Sequence, residues 1–159
     1  MTAVLAGPAR RARVVLPPGR TLIEAVSAAM ADLSWPSATL LLLGGAMARA
    51  VYHTSVLTPG GPRWIDYGPP REVAAPAWLV MGSATFGSGP DGTPAIHCHA
   101  VLAGADGVFG GHLSPDLCVM GPGIVAHATS APNGSFRVMR DEDTGFDLLT
   151  PTLTGFGRA

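Results

Sequence analysis

His97, His99 and His112 are the residues of this chain whose type and spacing best suit chemistry. They sit in the stretch Ala95-Ile96-His97-Cys98-His99-Ala100-Val101-Leu102, then Gly104-Ala105-Asp106-Gly107, then Val108-Phe109-Gly110-Gly111-His112-Leu113. Three imidazoles and a water form a coordination set that zinc accepts, and nickel, copper or ferrous iron can use it too. Polar groups at a subunit interface, or hydrogen-bonded core histidines, would show the same spacing. No carboxylate partner accompanies the three on this segment.

A β-hairpin is the element that must bring them together. Residues 95–102 alternate in the β manner, and Asp106-Gly107 is a strong turn dipeptide. Strand side chains alternate faces, so His97 and His99 point the same way and Cys98 points the other. With Ala105-Asp106 as a two-residue turn, 99 faces 112. With Asp106-Gly107 as the turn, 101 faces 112 and 99 faces 114. Both registers place His112 on the face of His97 and His99, whereas a three-residue loop would flip it.

The rest of the chain predicts a sheet with one main N-terminal helix. Thr21-Leu22-Ile23-Glu24 is a capping-box signature, and Leu22, Val26, Met30 and Leu33 then share one helical face up to Trp35-Pro36. Strands are expected at 14–16, 39–43, 51–56, near 64–67, at 78–86, 117–119 and 124–129, with an edge strand at 136–140. The 39–43 run is uniformly apolar after Thr39 and is read as a buried strand. Residues 1–12 are expected to be a loose arm, 13–149 a single domain, and 150–159 an extended or mobile tail.

Composition narrows the class. Hydrophobic residues make up 47% of the 159 residues, and charged ones only 13%, about half the usual share. So few charges leave an apolar surface that oligomerisation would cover. The net charge is −1, and every basic residue apart from histidine is arginine. Cys98 and Cys118 are expected to be free thiols. The apolar N-terminus precedes Arg10, Arg11 and Arg13, the reverse of a signal peptide's charge order, and no apolar run is long enough for a membrane span. These features set the expectation of a cytoplasmic protein.

His97-Cys98-His99 followed by Gly110-Gly111-His112-Leu113 resembles the PPC domain (plant and prokaryote conserved), carried in plants by AT-hook nuclear proteins and standing alone in prokaryotes. Val15-Leu16-Pro17-Pro18-Gly19-Arg20 and Leu41-Leu42-Leu43-Gly44-Gly45-Ala46 agree with the family in order, and the resemblance spans about residues 13–130. It implies an α+β fold with an antiparallel-rich central sheet and a homotrimer. It also implies a divalent metal ion, zinc among the candidates, on His97, His99 and His112. Plant members carry an acidic residue on the strand before the hairpin, where this chain reads Ala77-Trp78-Leu79-Val80-Met81-Gly82-Ser83.

Other chemistry is sparse. There is no P-loop and no lysine to complete one, and no Gly-x-Ser-x-Gly elbow. Ser114 and Asp116 are read as turn residues, Cys118 as a buried hydrophobe, Asp141-Glu142-Asp143 as a solvated turn, and His53 and His127 as lying outside the site. DNA binding follows from the plant relatives, but no Arg-Gly-Arg-Pro core is present. A net charge of −1 offers little to a phosphate backbone beyond weak binding through Arg10, Arg11 and Arg13. The expected function is a small trimeric regulatory or interaction protein, a DNA-binding candidate with a His-lined metal site. The alternative is a metal-dependent enzyme acting on a small molecule, with a zinc-bound water doing hydrolysis.

Overall fold

The computed structural model describes residues 8–61 and 63–153. Thirteen strands and one helix follow in order among them: β1 Arg10–Val15, α1 Leu22–Asp32, β2 Ala38–Leu43, β3 Ala46–His53, β4 Ser55–Leu57, β5 Ile65–Tyr67 and β6 Arg71–Val73. Then come β7 Ala77–Ser88, β8 Pro94–Gly104, β9 Gly107–Leu113, β10 Val119–Met120, β11 Val125–Ser130, β12 Gly134–Arg140 and β13 Asp147–Leu153. The main sheet runs β1-β11-β2-β7-β8-β9-β3-β10, with β6 on β3 and the β12–β13 hairpin joined to β7. All of its pairings are antiparallel except β12 on β7. β4 and β5 form a separate two-stranded hairpin. A large antiparallel sheet with one helix agrees with the expected α+β class.

α1 forms as the sequence dictates. Thr21 Oγ1 accepts from the Glu24 N–H and the Glu24 carboxylate accepts from the Thr21 N–H, closing the capping box. Leu22, Ala25, Val26, Ala29 and Met30 are buried on its inner face, and the helix packs against β8. Cys98, Ala100 and Leu102 of β8 belong to the same buried cluster, with Leu40 and Leu42 of β2 and Ala126 and Ala128 of β11. The helix is too short to cross a membrane, and no other helix occurs among the described residues.

Among the described residues, α1 covers one face of the central strands, and most of the other face is open. β2 was expected to be a buried strand, but it alternates: Leu40 and Leu42 are buried while Leu41 and Leu43 are exposed. A run of four leucines cannot report which of its members will find a helix above it. The expected loose arm is also corrected in part. Arg10–Ala12 are the first half of β1 and pair with Ser130–Ala128, while Arg11 and Arg13 point to the uncovered face. Residues 1–7 lie outside the described residues. Thr150–Leu153 are extended, as expected for the start of the tail, but are paired with Arg137–Gly134, and 154–159 lie outside the described residues.

Candidate metal centre

The β8–β9 hairpin has the first of the two expected registers. Gly104 faces Gly107 around Ala105-Asp106, and His99 faces His112. His97, His99 and His112 therefore share the uncovered face, and Cys98 is fully buried on the other. His99 is exposed, and His97 and His112 are half-buried.

The three rings converge. His97 Nε2 and His99 Nε2 are 3.1 Å apart. Two nitrogens bound tetrahedrally to one zinc at about 2.0–2.1 Å sit about 3.3 Å apart, so this pair already has ligand spacing. Without an ion, one of the two nitrogens must carry a hydrogen and donate it to the other. The ring of His112 lies 4.7 Å from that of His97 and 5.4 Å from that of His99 by centroid. One ligating atom from each residue lies within 4.8 Å of the others, which modest side-chain rotation can close onto one ion.

Electrostatics disfavours charge on two of the three rings. Burial, and then His97, His99 and His53, push the His112 imidazole down to about 4, and burial and then His99 lower that of His97. A neutral ring keeps the lone pair that a metal needs. The donor set thus fits a divalent ion of intermediate softness such as zinc.

Two neighbours were not legible in the sequence. His53 on β3 faces His112 across the β3–β9 ladder, extending the row His99–His112–His53 over three strands. Both of its nitrogens are occupied: Nδ1–H donates to the Gly68 carbonyl at 2.8 Å, and Nε2 accepts from the Ser114 hydroxyl at 3.0 Å. His53 is therefore a buttress beside the trio, with no lone pair free. Ser114 does serve a turn, since its carbonyl accepts from Leu117 and Cys118 N–H, but its hydroxyl also fixes His53. Tyr67, on the β4–β5 hairpin, stacks on His112 with centroids 4.7 Å apart, its hydroxyl 3.5 Å from His112 Nδ1. Phe146 abuts Tyr67 edge-on, and the Arg63 guanidinium lies over Phe146. No spacing rule links His112 to positions 45 and 59 residues before it.

The remaining candidates behave as their sequence suggested. Cys118 is buried and free, with Sγ donating to the Val51 carbonyl. Asp141 caps the turn between β12 and β13, accepting from Thr144 N–H and Oγ1. His127 is four strands away from His112 in the same face, opposite Arg13.

The fold has counterparts among solved structures. A metal-containing protein of Archaeoglobus fulgidus shares it with a TM-score of 0.69 at 19% identity, over 94% of this chain and 98% of that one. A plant- and prokaryote-conserved protein of Pyrococcus horikoshii matches with a TM-score of 0.69 at 17% identity, over 94% and 96%. A candidate DNA-binding protein of Ralstonia eutropha matches with 0.64 at 17% identity, over 87% and 89%. At these identities the likeness is one of fold alone. No curated protein matches the chain. The Plants and Prokaryotes Conserved (PCC) domain matches residues 6–129, a span from just before β1 to the end of β11, and the chain belongs to that family.

Proposed function

We propose that this protein is a cytoplasmic, homotrimeric regulatory or interaction module that holds a divalent metal ion, zinc by preference, on His97, His99 and His112. The observation that carries the reading is the 3.1 Å approach of two imidazole nitrogens beside a third ring on one open sheet face. The Archaeoglobus relative being a metal-containing protein supports it. With three protein ligands, a fourth position stays free for water or a small ligand. The ion would supply Lewis acidity there. This chain's own part is to hold three imidazoles together, with His53 and Tyr67 fixing the pose of His112.

The trimer is supported by the same uncovered face. Leu41, Leu43, Met81, Val101, Trp78 and Val108 are exposed there, next to the histidines in the register. An apolar sheet face of this extent is suited to other copies of the chain. Metal analysis of untagged protein tests the central claim. One ion per chain, lost in His99→Ala together with zinc-dependent thermal stabilisation, is the expected result. Absence of stoichiometric metal from protein purified without chelator and then supplied with zinc would overturn it.

One observation favours a second reading, DNA binding. Arg11 faces Thr129 and Arg13 faces His127, placing four donors on the exposed face at the β1 edge. The arginines in salt bridges among the described residues are others: Arg49, Arg63 and Arg140. Such a grid suits phosphate oxygens and not base edges. Salt-dependent duplex binding that weakens in Arg11→Gln/Arg13→Gln is the expected result, and unchanged binding in that variant would sink this reading.

A further inference from the structure

A second site is formed on the opposite face of the sheet. Thr85 of β7 faces His97, so Phe86, the next residue, points to the helix side. There a cleft of about 540 Å³ opens between α1, the chain after it, the end of β7 and β12. Ligand pockets commonly fall in the range of about 300–1,000 Å³.

Its walls come from separate segments. Met30 of α1, Trp35, Phe86 and the β12 segment around Phe136 line it, so the aromatic residues Trp35 and Phe86 come to one space from two parts of the chain. The wall formed by β12 depends on Gly87, because a Cβ at that position would strike the Phe136 carbonyl. Glycine thus lets β12 close the cleft against β7.

The polar endowment is small and one-sided. Among the described residues Arg137 is the only charged one lining the cleft, and it joins no salt bridge there. Ser27 lies on the α1 side, its hydroxyl buried without a hydrogen-bond partner. Buried hydroxyls normally find a partner, so this one stands as an unmet donor and acceptor in the wall of the cleft. Among the described residues no carboxylate or imidazole lines the space.

We propose that this cleft binds a small aryl carboxylate: a planar apolar body between the aromatic walls, its anionic end at Arg137. A cation would meet the wrong charge. A polyhydroxylated ligand would leave its hydroxyls unpaired against Met30, Trp35 and Phe86, which is costly. The site is independent of the histidine trio, being separated from it by the sheet.

The test is a fluorine NMR titration of the full-length chain with 4-fluorophenylacetate. Saturable binding is expected, weakened about tenfold or more in Arg137→Gln, because hydrogen bonds to charged groups contribute strongly. Ala31→Phe, at an exposed helix position lining the cleft, should abolish binding by filling it. His99→Ala should leave the affinity unchanged. Failure of the wild-type chain to saturate below about 10 mM probe would overturn the proposal. So would an affinity that Arg137→Gln leaves intact, or one lost in His99→Ala. Arg137 is exposed, so its replacement by glutamine reads binding and not folding.

Discussion

Gly111 and His53 are in backbone contact: a Cβ on residue 111 would run into the His53 carbonyl. The second glycine of Gly110-Gly111-His112 is therefore what allows β3 to lie beside β9 and His53 to stand next to His112. Gly111→Ala must push β3 away. The expected cost is about 1–3 kcal/mol in chemical denaturation, as for other overpacked sites. Zinc affinity should fall with it, because His112 loses its neighbour. A variant as stable as wild type would show that this approach is not needed.

Tyr67 is the one aromatic ring that both stacks on a histidine of the trio and places a hydroxyl near its second nitrogen. Outer partners of metal-bound histidines commonly matter about 10–100-fold in affinity. Tyr67→Phe keeps the ring and removes the hydroxyl, so the smaller end of that range is expected, and Tyr67→Ala the larger. Competition with a chromophoric zinc chelator measures both. Equal affinities in all three proteins would assign Tyr67 to packing alone.

Acid should destabilise the metal-free protein through the histidines. The folded His112 imidazole is pushed from 6.5 down to about 4. Between those values the unfolded chain binds a proton that the folded chain does not, so stability rises with pH across the window and falls as the solution is acidified through it. Lowered carboxylates such as Glu24 and Glu72 act lower down, below their ordinary range. Melting of chelator-treated protein from pH 7 to 4 should therefore slope less steeply in His112→Ala than in wild type. Parallel slopes would mean that His112 titrates normally.

The apolar face predicts assembly. Met81 and Val101 face each other across β7 and β8 and are 47% and 38% exposed. Buried at an interface, a pair of glutamates there would be desolvated without partners. Light scattering of Met81→Glu/Val101→Glu should give the mass of one 16.2 kDa chain, and the wild type, if it forms the proposed trimer, the mass of three. An unchanged mass would move the interface elsewhere.

What the sequence disclosed was local. The hairpin with one of its two allowed registers, the capping box at Thr21 and Glu24, and the opposite facing of Cys98 all follow from rules spanning a few residues, and all appear in the structure. What it hid was set by distant pairing. Arg10–Ala12 read as a charged arm because nothing in those residues announces that Ser130–Ala128 will pair with them. The alternation of Leu40–Leu43 became visible only once α1 was seen to cover one side. β13 went unrecognised because its partner β12 supplies the edge that orders it, and Pro151 argues locally against a strand. His53 and Tyr67 reached His112 by the same long-range route.

The trio of histidines belongs to one hairpin whose strands join through a two-residue turn. Closing so short a loop is fast compared with pairing remote strands. The ion proposed for the trio would thus have all three of its ligands in the chain up to residue 112, ahead of β11, β12 and β13. Capture at that stage would staple β8 to β9 and give the later strands a template on which to add.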